Sequence, residues 1–176
     1  SRRPLMPPGS DVLALARRLQ EDARAAGHRR LLVLAGEAAW GRELAASIAD
    51  RLAPGRLLWL GVGPRAVQVD AAARYLGQEV DLLVYDARAG FDPDGFAAVC
   101  GTPCGGSLVV LLAWPLDAWR TAPDPARDRL AIHPVTSDGV DGRFLERLAV
   151  LVRAHPVTTL VTQDDVVPVM VGDRDM

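Results

Sequence analysis

The sequence predicts a three-layer, doubly wound α/β fold with a mainly parallel sheet. Short continuous apolar runs alternate with stretches of helical periodicity at a spacing of roughly 25 residues, which is typical of right-handed βαβ units. The apolar runs do not alternate apolar and polar residues, so we expect helices on both faces of the sheet. With 176 residues, 49% of them hydrophobic, the chain is long enough to bury a core of its own.

The first half of the chain alternates between helix and strand. Val12, Leu15 and Leu19 recur at helical spacing behind a potential N-cap at Asp11, and Gly27 is a natural stop. Two apolar runs that are each closed by glycine follow as strands, with a long helical stretch between them and a short one after. In order, the predicted elements are a helix over 12–26, a strand over 31–35, a helix over 37–52, a strand over 57–60 and a helix over 69–76.

The second half repeats this pattern. A third apolar run finishes at Asp86, and a short helix then begins with Asp92 as its N-cap and Pro93 at its first position. Residues 115–131 are rich in proline and charge, which predicts a long loop. In order, the predicted elements are a strand over 82–85, a helix over 93–99, a strand over 108–112, a helix over 141–154 and a strand over 157–162.

The two ends of the chain differ from this regular middle. Residues 1–10 are proline-rich and lack the apolar region of a secretory signal, so we expect a disordered tail. Residues 11–165 are predicted to form one α/β domain, and residues 166–176 a C-terminal tail or a linker to further modules. No apolar run approaches the ~20 residues needed to cross a bilayer, so we expect no membrane partner and a cytoplasmic location.

The charge composition excludes several kinds of chemistry. All 20 basic residues are arginine, so the chain has no lysine for a Schiff base, a phosphate loop or a Ser–Lys dyad. The formal net charge is −2, without the overall basic field that an autonomous nucleic-acid-binding protein usually has. Any contact with RNA is therefore expected to be local.

The ends of the predicted strands carry no nucleotide-binding motif. The turn that begins at Gly36 lacks both the Lys-Ser/Thr pair of a phosphate loop and the glycine spacing of a dinucleotide site, so we predict no bound cofactor. Asp86 resembles the acidic residue that holds magnesium at the end of a strand in nucleotide-binding proteins. Without a phosphate loop, Asp86 is better interpreted as accepting backbone N–H groups in its turn or pairing with Arg88.

No metal site or catalytic set is predicted either. Cys100 and Cys104 are the only cysteines, and they favour two reduced structural thiols over a zinc site. The histidines His28, His133 and His155 form no Ser/His/Asp or Cys/His combination. Trp114 and Trp119 flank the long loop. Packing is the favoured role for both tryptophans, with base stacking or docking as the alternative.

Two groups of residues follow the first and third predicted strands, namely Gly36, Glu37 and Trp40, and Asp86, Arg88, Gly90 and Phe91. These residues mark a resemblance to the bacterial tRNA(Met) cytidine acetyltransferase family, which extends from the first helix to the fifth strand. The run over 86–91 is the most specific part, and residues 115–138 resemble the family least.

The resemblance implies an N-terminal RecA/Rossmann-like domain without nucleotide loops. Its partners would be a helicase-like ATPase module and an acetyltransferase module of the same polypeptide. The parent enzyme would use acetyl-CoA and ATP/Mg²⁺ to acetylate the wobble cytidine of elongator tRNA(Met). The resemblance assigns no catalytic, cofactor-binding or metal-binding residue to this chain.

Two roles for such a domain remain open, scaffolding of the other modules and a local contact with tRNA. Five arginines could cluster where the first helix meets the first strand, although an ordinary solvated face is the favoured interpretation. A free-standing small-molecule-binding protein of flavodoxin-like or Rossmann-like fold is the alternative class. The five arginines of the cluster are Arg17, Arg18, Arg24, Arg29 and Arg30, and the predicted RNA contacts are Arg17, Arg18, Arg29, Arg30 and Arg88.

Overall fold

The apolar runs of the sequence form the strands of one sheet. The computed structural model describes residues 10–127, 134 and 142–164. The elements in chain order are α1 (Ser10–Ala26), β1 (Arg30–Ala35), α2 (Ala38–Leu52), β2 (Leu57–Leu60), a 3₁₀ helix (Val69–Tyr75), β3 (Val80–Asp86), a 3₁₀ turn (Ala87–Ala89), α3 (Pro93–Val99), β4 (Pro103–Ala113), α4 (Arg143–Ala154) and β5 (Thr158–Thr162).

The five strands described are all parallel and lie in the order β2-β3-β4-β1-β5. The predicted fold class is therefore confirmed. Strand β1 lies between β4 and β5, which is the arrangement of RecA-like sheets. The dinucleotide-binding and flavodoxin-like sheets instead place β1 beside β2.

Helices cover both faces of the sheet, as the continuous apolar runs predicted. Successive strand residues such as Leu83 and Val84 point to opposite faces and belong to two separate apolar clusters. α1 and α2 cover one face, whereas α3, α4 and the 3₁₀ helix cover the other. Trp119, which is only 1% exposed, packs from the long loop into the cluster that contains Leu83, on the face covered by α3 and α4.

The beginning of β4 was not predicted. The strand starts at Pro103, whereas the apolar run starts only at residue 108. Gly105 and Gly106 lie in between, where β4 passes against the end of α1. A Cβ at Gly106 would lie 2.9 Å from the Cγ of Arg24, and one at Gly105 would lie 3.0 Å from the carbonyl oxygen of Gly27. The close approach requires glycine, and glycine carries no strand signal.

Smaller differences concern the ends of the helices. α1 begins at Ser10, so Asp11 lies in its first turn and the prediction of Asp11 as the N-cap is wrong. Asp92 does cap α3, because its side chain accepts a hydrogen bond from the N–H of Asp94. The helix predicted over 69–76 is a 3₁₀ helix. His133 and both predicted tails, apart from Ser10, lie outside the described residues.

None of the helices within the described ranges is long and apolar enough to cross a membrane.

Candidate functional site

The ends of β1, β3 and β4 bring the sequence-predicted residues together at one edge of the sheet. Ala35 pairs with Ala113 and Asp86 pairs with Leu112, so the three strands finish side by side. In open α/β sheets, ligands bind at this carboxyl edge. It is therefore the first place to test for a functional site.

Asp86 is the centre of a buried ion network at this edge. Its side chain is fully buried, and its Oδ1 accepts hydrogen bonds from the backbone N–H of Arg88 at 3.1 Å and from Arg88 Nε at 2.9 Å. Its Oδ2 accepts from Nε of Arg42, in the first half of α2, at 2.7 Å. Both interpretations of Asp86 made from the sequence, a turn acceptor and a partner of Arg88, are confirmed.

Arg88 joins the end of β3 to the turn between β1 and α2. Its side chain is 1% exposed, and its Nη1 donates to the carbonyl oxygen of Glu37 at 2.8 Å and to that of Gly36 at 3.4 Å. Its Nη2 is buried and finds no partner within the described part of the chain. The guanidinium lies against Gly41 in α2, where a Cβ would come within 2.8 Å of Nη1. Gly41 is thus required by the position of Arg88.

This arrangement does not suit a magnesium–nucleotide complex. Such a complex needs backbone N–H groups that cradle phosphates, and a carboxylate that is free to hold the metal through water. In this domain both carboxylate oxygens of Asp86 are bound to arginine donors. The guanidinium of Arg88 occupies the space beneath the first turns of α2. We therefore interpret the network as structural.

Gln163 closes the same turn from the end of β5. Its Oε1 accepts the backbone N–H of Glu37 at 2.7 Å, which is one of the N–H groups at the start of α2 without a partner inside the helix. The side chain of Glu37 forms no capping hydrogen bond. A Cβ at Gly36 would lie 2.7 Å from that Oε1 and 2.8 Å from Cε3 of Trp40. The role of Gln163 was not predicted, because residues at the end of an edge strand carry no sequence pattern that reveals such a contact.

The remaining residues that mark the family resemblance lie just after Asp86. Gly90 has a φ of +122°, which favours glycine. The next residue, Phe91, is buried, and its ring contacts aromatic rings from several elements. The contacting rings are those of Tyr85, Phe96, Trp119 and Phe144.

Two open cavities flank the network at the carboxyl edge. One of about 470 Å³ lies between the ends of β1 and β5, where Glu37, Arg153 and Gln163 are among its lining residues. The other, of about 280 Å³, lies beyond β2 and β3, beside Gly61 and Asp70. The larger cavity is within the range of small-molecule sites, roughly 300–1,000 Å³.

The arginines predicted to contact RNA do not all lie on the surface. Arg17, Arg18 and Arg29 are exposed, and Arg30 is half-buried. Arg88 is buried, and a guanidinium without accessible surface cannot reach a phosphate. We therefore remove Arg88 from the predicted RNA contacts.

The exposed arginines differ in whether they have partners. Arg17 pairs with Glu21 at 3.0 Å, and Arg29 donates to the carbonyl oxygen of Pro103. Arg24 is also exposed, and it lines a groove together with Arg51 of α2, which the sequence did not single out. A pairing between two helices has no signal in the pattern of either helix alone.

The cysteines and tryptophans agree with structural roles. Both thiols are free, and burial raises the pKa of Cys100 to about 11, so its thiol stays protonated at neutral pH. Trp119 is too buried to stack on a base. The half-buried Trp114 donates from Nε1 to the carbonyl oxygen of Pro123 at 3.3 Å. Among the described residues, no group of three or more histidine, cysteine or acidic side chains is placed to hold a metal ion.

Together, the fold and the network define a RecA-like α/β domain in which a buried arginine of the chain itself is hydrogen-bonded to the turn between β1 and α2. The chain belongs to the family described as "tRNA(Met) cytidine acetyltransferase TmcA, N-terminal", whose model matches residues 6–163. The resemblance inferred from residues 86–91 and the strand before them is confirmed.

Several relatives of this chain are named tRNA(Met) cytidine acetyltransferase TmcA. The chain is 36% identical over 169 residues to that of Nitrosococcus halophilus, a match that covers 93% of this chain and 23% of the relative. It is 37% identical over 160 residues to that of Haloferax volcanii, covering 88% of this chain and 21% of the relative. It is 43% identical over 101 residues to that of Citrobacter koseri, a match that covers 56% of this chain and 15% of the relative. The chain thus spans about a fifth of the length of the first two relatives.

Proposed function

We propose that this chain is a non-catalytic scaffold domain of a tRNA(Met) cytidine acetyltransferase. The observation that carries the proposal is the network of Asp86, Arg88 and Arg42, in which arginine donors take up both carboxylate oxygens of Asp86 at the edge where α/β sheets bind ligands. A domain without a nucleotide site keeps a rigid sheet with helices on both faces. Such a body is suited to holding other modules in a fixed geometry.

The chemistry of the proposed parent enzyme then belongs to other parts of its polypeptide. A helicase-like module would hydrolyse ATP with Mg²⁺, and an acetyltransferase module would transfer acetyl from acetyl-CoA to the wobble cytidine of elongator tRNA(Met). Two observations support this division. The relatives carry the acetyltransferase name, and the chain matches about a fifth of their length. A cytoplasmic location is part of the same proposal.

The proposal includes a local contact with tRNA. Arg18 and Arg24 are exposed on α1 and form no ion pair within the described ranges, so their charges are available to phosphates. Contacts of this kind position RNA without reading its sequence. They need no overall basic charge, which agrees with the net charge of −2.

Thermal unfolding with candidate ligands tests the non-catalytic role. We expect neither ATP with Mg²⁺ nor acetyl-CoA to raise the Tm of the chain. A ligand present at 100 times its Kd would stabilise the fold by about 2.7 kcal/mol, which is easily measured. A saturable rise in Tm with ATP and Mg²⁺ would contradict the interpretation of the network as structural.

A chimera tests the scaffold role. Residues 6–163 replace the matched segment of the Nitrosococcus halophilus relative, and a second protein lacks that segment altogether. We expect the chimera to acetylate an elongator tRNA(Met) transcript, and the deletion to lose this activity while the remaining modules still hydrolyse ATP. If the deletion acetylates tRNA as well as the intact protein does, the scaffold role is wrong.

One observation favours a second candidate function, the binding of a small molecule at the carboxyl edge of the sheet. The cavity of about 470 Å³ has a charged and amide lining, including Arg153 and Gln163, at the edge where α/β sheets bind ligands. A small molecule that raises the Tm of the chain, but not that of an Arg153→Ala variant, would support this candidate.

A further inference from the structure

A groove between α1 and the end of α2 has features that the scaffold role does not explain. Its volume is about 460 Å³, and it lies between helices on one face of the sheet rather than at the carboxyl edge. The second half of α1 and the last turn of α2 supply its walls. The lining residues are Arg17, Gln20, Glu21, Arg24, Arg51 and Leu52.

The groove carries an excess of positive charge. Arg17 and Glu21 form an ion pair of 3.0 Å and offset each other. Arg24 and Arg51 are exposed and form no hydrogen bond or ion pair with any described residue. Asp50, the acidic neighbour of Arg51, is instead paired with Arg65 at 2.9 Å.

Other charges of the two helices lie near the groove but do not line it. Asp22 and Arg18 are exposed on α1, and their charges are opposite. The lining itself therefore keeps the two unpaired guanidinium groups of Arg24 and Arg51. A groove of this kind attracts an anion.

Gln20 adds a polar group to the lining of the groove. Its side chain is only 5% exposed, whereas the neighbouring inward positions of α1, Ala16 and Ala23, are apolar. The amide forms no hydrogen bond within the described ranges, and its polar atoms are not among the fully buried ones that lack a partner, so they reach the open space of the groove. An amide that opens onto the groove beside two unpaired arginines is placed to hydrogen-bond a molecule bound there.

The helix dipole explains only part of this arrangement. Arg24 and Arg51 lie in the last turns of α1 and α2, where a cation is favourable. That effect accounts for the charges but not for the amide of Gln20, which opens onto the same groove. In addition, the stem of Arg24 packs against Gly106 of β4, so the side chain is partly fixed before any ligand binds.

We propose that this groove binds the sugar-phosphate backbone of RNA. Arg24 and Arg51 contact phosphates, and the amide of Gln20 bonds a phosphate oxygen or a 2′-hydroxyl. The lining contains no aromatic ring on which a base could stack, so the groove positions RNA without reading it. The inference rests on the proposed contact with tRNA and assigns a site to it.

Fluorescence anisotropy with a labelled elongator tRNA(Met) transcript tests the site. We expect the Arg24→Ala, Arg51→Ala double variant to bind about tenfold more weakly at low salt, with the slope of log K against log salt reduced by about 0.7–0.9 for each phosphate that the variant no longer binds. Arg147→Ala is the matched control. Arg147 is exposed on α4, on the opposite face of the sheet, and forms no ion pair among the described residues.

A Gln20→Leu variant separates binding from folding. We expect weaker binding of tRNA with an unchanged Tm, because leucine removes an amide that forms no hydrogen bond within the described ranges and keeps the packing. A purely structural glutamine would give the opposite result, a lower Tm with unchanged binding. That result would overturn the role of Gln20.

The outcomes also separate this inference from the proposed function. If the unaltered chain binds tRNA and the double variant binds equally well, the groove is not the RNA site, but the chain still contacts tRNA elsewhere. If the unaltered chain does not bind tRNA at low salt, the proposed tRNA contact and the assignment of the groove to RNA are both wrong. The scaffold role does not depend on that result. If inorganic phosphate raises the Tm through Arg24 and Arg51 and tRNA does not bind, the groove is a site for a free anion and the RNA proposal is wrong.

Discussion

At the scale of single residues, the stability of this domain depends on how buried charges are satisfied. Asp86 and Arg88 are both buried, and Arg42 supplies a second positive charge from α2. Removing one member of a buried pair is costly because it leaves the other charge without compensation. An exposed pair such as Asp50 and Arg65 contributes little, because water screens it.

We therefore expect Asp86→Asn to lower the free energy of unfolding by about 3–5 kcal/mol. The matched control is Asp50→Asn, which makes the same chemical change in an exposed pair and should cost at most about 1 kcal/mol. Urea unfolding, monitored by circular dichroism, measures both. Equal decreases in the two variants would show that the buried network is not a major source of stability.

At the scale of elements, a second ion pair fastens the beginnings of β2 and β3. Asp81 accepts hydrogen bonds from the backbone N–H of Arg56 at 2.8 Å and from its Nη2 at 3.2 Å. The side-chain hydrogen bond from Arg56 is the main reason why the pKa of Asp81 is lowered from its ordinary value near 3.8. The carboxylate is therefore favoured in the folded state, and the contact contributes to stability only while Asp81 is ionised.

The sign of the pH dependence follows from that direction. A carboxyl group whose pKa is lower in the folded state stabilises the fold above its unfolded pKa, near 3.8, and loses that contribution as the pH falls through the folded pKa. The pair is partly exposed, so we expect an effect of at most about 1 kcal/mol. Asp81→Asn should lower the urea midpoint at pH 6 and flatten its decline below pH 4. Parallel curves for the variant and the unaltered chain would contradict this account.

The elements also mark where prediction from sequence succeeds. The strands and most helices were predictable because apolar runs and helical periodicity are local, and the same holds for the turn acceptor role of Asp86. The start of β4 was not, because Gly105 and Gly106 are selected by their contact with α1. The hydrogen bond from the N–H of Glu37 to Gln163 joins residues 126 positions apart. The groove that Arg24 and Arg51 share joins two helices, and contacts of this kind arise only from the tertiary fold.

At the scale of the whole molecule, the two apolar clusters share one sheet. Each strand sends alternate side chains into the cluster above and the cluster below, so loosening either side should weaken the strands that support the other. Single domains of up to about 150 residues usually unfold in one cooperative transition. The shared sheet is a physical reason to expect the same of this longer chain. A scaffold that holds other modules benefits from such cooperativity, because neither helical layer can unfold independently of the other.

Substitutions that shorten a buried side chain on either face of the sheet test this cooperativity. Ile48 of α2 and Leu145 of α4 are buried in different clusters, and we expect either change to alanine to cost about 2–5 kcal/mol. Each variant should unfold in a single transition with the same midpoint by circular dichroism and by tryptophan fluorescence, because Trp59 and Trp119 report on opposite clusters. The exposed Leu151→Ala is the control and should leave the midpoint nearly unchanged. If Leu145→Ala gives two separate transitions in the fluorescence signal, the two layers unfold separately and the sheet does not couple them.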